Sequence, residues 1–239
     1  MNHLSYRIAE KELWILADRA IFWPDKQSLF IADIHLGKAK TFRRYGIPLP
    51  DDPMKKDLDR LSNLIQLYSA KKLIILGDLF HAPSGQDEKL MDLIREWRKN
   101  NQKLEIQLIR GNHDSKCLEV QSIWNMECLK EPIIWEDFAL CHYPQVIPGK
   151  YTLCGHIHPA LKIRLESADN IKKPNERMRP RINRAVKTVN LSCFWMQKST
   201  GVLPAYGTLT GSKLIQPSQE DNIFLTSEGE VIHWQKSNL

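Results

Sequence analysis

No stretch of this 239-residue chain approaches the ~20 apolar residues that a membrane span requires. The opening residues, MNHLSYRIAEKE, hold no apolar core of the kind a secretory signal needs, so export is not expected. Cysteine is sparse. Cys117, Cys128, Cys141, Cys154 and Cys193 are scattered and show no C-x-x-C spacing. That argues against a cysteine-built zinc site and for reduced thiols in the cytoplasm. Internal repeats and low-complexity tracts are missing too, which excludes a repeat architecture.

What is present suffices for one substantial core, since 42% of residues are hydrophobic. A single domain over residues 1–239 is the expectation. The formal net charge is +6. It is concentrated: Leu161–Lys187 holds nine basic residues against three acidic ones, an excess equal to that of the whole chain. The middle of this segment, Asn170–Asn183, is polar with two prolines and reads as an exposed loop. A local basic block suits a polyanionic partner better than a diffuse charge would.

Short runs rich in Ile, Leu and Val recur at Leu13–Leu16, Arg19–Trp23, Ser28–Ala32, Leu73–Leu76, Ile106–Ile109, Phe138–Cys141 and Tyr151–Cys154. Their length fits buried strands. Ala160–Leu165 and Ala185–Cys193 read as two more. Between some of them lie helical rhythms. Met54–Ser69 repeats apolar residues at Leu58, Leu61, Leu64, Ile65 and Tyr68, after an Asp52-Pro53 start signal. Asp87–Lys99 repeats the pattern with Leu90, Leu93, Ile94 and Trp97. Strands alternating with helices indicate an α/β fold.

Polar clusters close the runs: Ala32-Asp33-Ile34-His35, Gly77-Asp78-Leu79-Phe80-His81, Gly111-Asn112-His113-Asp114, His142-Tyr143 and Gly155-His156-Ile157-His158. Six of the eight histidines sit in them. Ligands of open α/β sheets bind beyond the carboxyl ends of the strands, so these side chains are expected at one crevice. Carboxylates, an amide oxygen and imidazoles suit borderline divalent metals such as Mn²⁺, Fe or Zn²⁺. Burying so many polar groups without a cation carries a large desolvation cost. Asp33 and His35 are two apart, as are His156 and His158, so an extended segment points each pair to one side.

This ordered set resembles the calcineurin-like metallophosphoesterase superfamily, whose motifs run D-x-H, G-D, G-N-H-[DE], a lone His and G-H-x-H. The resemblance implies two packed mixed β-sheets flanked by helices, an α-β-β-α sandwich. It implies two divalent ions, Mn²⁺ first among the candidates. Asp33, His35 and His158 would hold one ion, and Asn112, His142 and His156 the other. Asp78 would bridge them. His113 would stabilise or protonate the leaving oxygen, with Asp114 orienting it. Two such metals lower the pKa of a shared water and offset charge on a phosphoryl group.

A closer likeness spans nearly the whole chain: Phe22-Trp23-Pro24, the run from Ala32 to Lys38 (ADIHLGK), Phe42–Pro50 (FRRYGIPLP), Gly77–Ala82 (GDLFHA), Cys193-Phe194-Trp195 and Leu203–Gly207 (LPAYG). Here the sequence resembles the ligase-associated DNA damage response endonuclease family. That implies metal-dependent phosphodiester cleavage in DNA, beside a DNA ligase, a helicase and an exonuclease.

Other residues admit two readings. Lys38, Lys40, Arg43, Arg44 and Arg110 either touch substrate phosphate or serve as solvated or paired charge. His81 either approaches the cleft or bonds a loop carbonyl. Phe194, Trp195 and Tyr206 either stack on bases or pack in the core. Cys141 and Cys154 precede ligand positions, and alternation makes them small buried fillers. Two other functions compete with DNA cleavage. One is hydrolysis of a small or lipid-linked phosphodiester or pyrophosphate. The other is a non-catalytic scaffold of the same fold, which would be expected to have lost ligands or His113.

Overall fold

The computed structural model describes residues 3–44, 46–49, 52–82, 88–114, 117–165, 187–227 and 229–235. Most of the basic block, 166–186, lies outside the described residues. Two mixed sheets pack face to face, in agreement with the expected fold class. In the first sheet, β1 (His3–Ile8), β2 (Lys11–Leu16), β3 (Ala20–Trp23) and β4 (Ser28–Ile31) pair antiparallel in chain order. The sheet continues in parallel through β5 (Lys72–Leu76), β6 (Glu105–Ile109) and β7 (Glu127–Leu129). Parallel neighbours need long crossovers, and helices supply them. Helices α1 (Lys38–Arg44) and α2 (Asp52–Leu67) link β4 to β5. Helix α3 (Glu88–Asn100) links β5 to β6, and α4 (Cys117–Trp124) links β6 to β7.

The second sheet runs through β8 (Ile133–Trp135), β9 (Phe138–Leu140), β10 (Tyr151–Cys154), β11 (Pro159–Leu165), β12 (Lys187–Met196), β13 (Thr200–Val202) and β14 (Lys213–Leu214). Its spatial order is β14-β11-β12-β13-β10-β9-β8. Strand β15 (Asn222–Ser227) pairs with β12 and with β16 (Glu230–Trp234).

Strand parity sorts the core. Leu29, Ile31, Leu73, Ile75, Ile106 and Leu108 face the helices and meet Leu58, Leu61, Leu64, Leu90, Ile94 and Trp97. Phe30, Ala32, Ile74, Leu76 and Ile109 face the other way and meet Phe138, Leu140, Leu153 and Phe194 of the second sheet. Both faces are buried, which is why the sequence shows continuous apolar runs instead of alternation. Each such Leu, Ile or Phe contributes roughly 1.5–3 kcal/mol relative to exposure. Cys141 and Cys154 are buried with Ala139 and Val202 on the outer side of the second sheet, as their spacing suggested. Burial pushes the Cys141 thiol up to about 11.

Among the described residues no helix is long and apolar enough to cross a membrane. Phe194 and Tyr206 are fully buried, so base stacking is not open to them. Trp195 is half-buried and its indole N–H donates to Asp221 Oδ2 at 2.8 Å.

Candidate active site

The strand ends are tied to one another past the last strand residue. Asp33 N–H donates to Gly77 O (3.1 Å), His35 N–H to Asp78 O (3.0 Å) and Leu36 N–H to Leu79 O (2.8 Å). The loops after β4 and β5 therefore travel as a pair. From the second sheet, His156 N–H donates to Asp33 Oδ2 at 2.9 Å, and the His142 Nδ1 lies 3.1 Å from Leu76 O. These contacts clamp the two sheets together at their carboxyl edge.

The extended conformation expected of Asp33-Ile34-His35 and His156-Ile157-His158 is not what the backbone adopts. Asp33 and His35 each have φ +54°, Asp78 +51°, His156 +69° and His158 +52°. Left-handed geometry is uncommon outside glycine, although Asp and His adopt it more readily than most residues, and it costs about 1–3 kcal/mol apiece. The left-handed residues turn the chain sharply, so the side chains converge while the backbone bends away. Glycines make room for this convergence. A Cβ on Gly77 would lie 2.1 Å from His142 Nδ1, and one on Gly111 would lie 2.2 Å from Asp78 Oδ1.

Three sets of side chains bring their ligand atoms within 4.8 Å of one another: Asp33, His35 and His158; His35, Asp78 and His113; Asp78, His142 and His156. His158 Nε2 is 3.2 Å from Asp33 Oδ1. Asp78 Oδ2 lies 3.8 Å from His35 Nε2 and 3.6 Å from His142 Nε2, so it stands between the two groups. Asn112 Oδ1 sits 3.1 Å from His142 Nε2, and His156 Nδ1 is also 3.1 Å from that nitrogen. Asp33 Oδ1 and His158 Nε2 are buried with no hydrogen-bond partner. Buried groups left unpaired cost about 1–3 kcal/mol each. A divalent cation would satisfy them, and the mixed oxygen and nitrogen donors fit a borderline metal. Burial, then nearby His158 and Lys38, hold His35 far below its ordinary value, at about 2. His156 is lowered too, by burial and by His142. Neutral imidazoles keep the lone pair that ligation needs.

These donors belong to strand ends in a pattern that one sequence family shares. A profile of calcineurin-like phosphoesterases matches residues 27–207. The chain belongs to this family. Members are phosphoester hydrolases that use divalent metals. Nuclease MPE of Pseudomonas putida is similar over 98% of this chain and 100% of its own, with 30% sequence identity and a TM-score of 0.76. YfcE, a phosphoesterase from E. coli, aligns over 86% of this chain and 96% of its own. Its identity is 16% and its TM-score 0.42, a likeness too slight to bear on function. No curated protein matches the chain.

As a phosphoesterase site, the cluster has a second layer that departs from expectation in places. His113 is half-exposed, with Nε2 3.9 Å from Asp78 Oδ2, and its own N–H donates to Asp78 Oδ1 at 3.0 Å. Asp114 does not turn toward the His113 ring. Its carboxylate accepts the N–H groups of Asp78 (2.7 Å), Gly111 (2.9 Å), Leu79 (3.0 Å) and Phe80 (3.4 Å). It fastens the Asp78 loop to the Gly111 loop, because two tight turns meeting there present four N–H groups that no strand takes up. Burial raises its pKa, against the pull of those N–H groups.

The expected substrate-contacting cations divide. Lys38 is half-buried, near His35 and His81, and burial lowers its pKa. Arg43 donates to Leu49 O at 2.9 Å and so closes its own loop. Arg44 is exposed, and Arg110 half-buried. His81 lies in the cleft. Its ring stacks on His113, with centroids 5.6 Å apart and an interplanar angle of 22°.

Two residues gave no functional signal in the sequence, Tyr143 beyond following a motif and Glu131 not even that. Tyr143 follows the lone histidine; its hydroxyl donates to Asn112 Oδ1 at 3.2 Å and its ring lies 4.4 Å from that of His156. Glu131 Oε2 accepts the N–H of Tyr143 at 3.0 Å and that of His142 at 2.5 Å. It sets the turn that delivers His142.

Proposed function

We propose that this chain is a metal-dependent phosphodiesterase that cleaves DNA, as an endonuclease in repair. The observation that carries the reaction type is the pair of donor groups, Asp33–His35–His158 and Asp78–His142–His156, meeting at Asp78 with His113 beside it. When bound, two divalent ions, Mn²⁺ first with Fe or Zn²⁺ as alternatives, supply Lewis acidity and an acidified water. Asp33, His35 and His158 would hold one ion and Asn112, His142 and His156 the other, with Asp78 placed between the two groups. Asp114 and the left-handed turns fix these donors before substrate arrives. His113, anchored through its own N–H to Asp78, offers an imidazole proton to the leaving oxygen. Lys38 and Arg110 meet substrate phosphate, Arg44 extends that contact outward, and Arg43 keeps their loop closed.

Three things support DNA as substrate: the full-length similarity to a protein described as a nuclease, the basic excess of residues 161–187, and the cations of α1. Contacts of this kind go to phosphates and carry little sequence information. A cytoplasmic place beside a DNA ligase, a helicase and an exonuclease fits that reading. The deciding experiment offers labelled single-stranded DNA, duplex DNA and RNA to the protein with Mn²⁺ or with chelator, beside bis-p-nitrophenyl phosphate. Chelator-sensitive cleavage of DNA is expected. Turnover of the small diester alone would overturn the DNA assignment and favour a small or lipid-linked substrate. No turnover of anything would overturn the hydrolase mechanism and favour a scaffold.

A further inference from the structure

The segment Ala205–Lys213 runs back against the site. Tyr206 N–H donates to Ala32 O at 2.8 Å and Gly207 N–H to Asp33 O at 3.3 Å. Thr210 Oγ1 reaches the same Asp33 oxygen at 3.4 Å. Further along, His158 Nδ1 lies 3.1 Å from Gly211 O, and Lys213 N–H donates to His158 O at 2.9 Å. One strap thus touches the backbone or ring of two residues in the Asp33–His35–His158 group. Its fit is close: a Cβ on Gly207 would lie 2.0 Å from Ile34 O.

The strap is held by α2. Asp57 is buried, 5% exposed, and its two oxygens receive Thr208 N–H (2.9 Å) and the Thr208 hydroxyl. One turn on, Arg60 donates to Asp57 Oδ1 at 3.2 Å and to Tyr206 O at 2.5 Å. Its guanidinium lies 4.0 Å over the Tyr206 ring. A buried carboxylate serving a loop 151 residues away is costly unless fully paired, and this one is. We propose that Asp57 and Arg60 are positioning residues for the Asp33–His35–His158 half of the site, acting through the Ala205–Lys213 strap. The inference rests on the metal reading above. Asp33 needs a left-handed backbone to aim its carboxylate, and the strap's two donors to Asp33 O stabilise that conformation. Burial lifts the Asp57 carboxyl above the usual range, opposed by Thr208, Arg60 and Arg19, as expected of a carboxylate kept for its acceptors and away from water.

The test counts and titrates Mn²⁺ on the full chain by electron paramagnetic resonance, which reads binding directly. Wild type is expected to bind two ions. Asp57→Ala should weaken one of the two by roughly 10–100-fold, the range for outer supports of a metal site, and leave the other unchanged. Asp57→Asn, which keeps one acceptor for Thr208, should recover part of the loss. Thr208→Val removes the hydroxyl contact alone, keeps the inference testable should Asp57→Ala fail to fold, and should weaken the same ion. Leu64→Ala, on the same helix but outside the brace, controls for lost stability and should bind both ions normally despite a lower Tm. Two ions bound with wild-type affinity by folded Asp57→Ala or Thr208→Val would overturn the inference. So would an equal loss in Leu64→Ala. Wild type binding no Mn²⁺ would instead sink the metal reading on which the inference stands.

Discussion

Asp33 Oδ1 and His158 Nε2 face each other at 3.2 Å across the junction of the two sheets, each buried and each without a hydrogen-bond partner. They come from residues 33 and 158, and the fold brings them together through β4 and the turn after β10. Two buried atoms with no hydrogen-bond partner in the protein are held at that distance only because the rest of the fold over-determines them. Binding a cation there releases that penalty into metal affinity.

Mn²⁺ should therefore raise Tm. A ligand that binds only the folded chain adds about 2.7 kcal/mol of stability at a free concentration 100-fold above its Kd. Calorimetry with Mn²⁺ and with chelator checks this. Asp33→Ala should remove much of the shift. A wild-type Tm indifferent to Mn²⁺ would count against the site as a metal centre.

Gly77 and Gly149 make a matched pair, since both have positive φ, +86° and +72°. Only Gly77 has a neighbour where a Cβ would go, and that neighbour is His142. Gly149→Ala is expected to cost only backbone strain of about 1 kcal/mol and to leave turnover intact. Gly77→Ala should displace His142, lose turnover and weaken Mn²⁺ binding. Equal behaviour of the two variants, in urea titrations and in diester hydrolysis, would deny Gly77 its role as a cradle.

If His113 donates the leaving-group proton, its loss should matter in proportion to how much the leaving group needs one. His113→Ala is expected to slow DNA cleavage by about 10²–10⁴, the usual contribution of general acid catalysis. A p-nitrophenolate leaves without help, so bis-p-nitrophenyl phosphate should suffer far less. Parallel loss on both substrates would assign His113 to holding the site together.

Burial pushes the Cys193 thiol up to about 12 from an ordinary 9.0. The unfolded chain then loses its thiol proton first. Stability from this group is whole below about pH 9 and declines as pH rises toward about 12, by no more than about 1.4 kcal/mol per pH unit. Urea titrations at pH 8 and pH 10.5 should show the decline, and Cys193→Ala should reduce it. Identical slopes in both proteins would place the alkaline loss elsewhere.

Residue pattern alone was enough for the helices α2 and α3, whose buried faces repeat over three or more turns, and for the strands that are buried on both sides. It missed α1, because seven residues reading KAKTFRR give no periodic face. It missed β7, β8 and β13, each three residues long, where partner strands supply the order that three residues cannot. Helix α2 stops at Leu67, two residues early, because Ser69 turns left-handed and Ala70 N–H returns to Ile65 O. At the site, residue types announced which atoms would gather but not how. Nothing in Asp33-Ile34-His35 declares a φ of +54° at both ends; that follows from the neighbouring loop and the strap. Asp114 was misread for a similar reason. The family resemblance implies the His113 ring as its partner, whereas four N–H groups from two turns take up its oxygens.

The position of the strap in the chain bears on the order in which the protein can be made. All seven candidate ligands have left the ribosome once His158 is free, yet the carbonyl of Asp33 must wait for Gly207 and Thr210 to emerge. A growing chain thus carries the full donor set for some fifty residues of synthesis before the brace can form. The nuclease chemistry proposed here would switch on only after Thr210 has emerged.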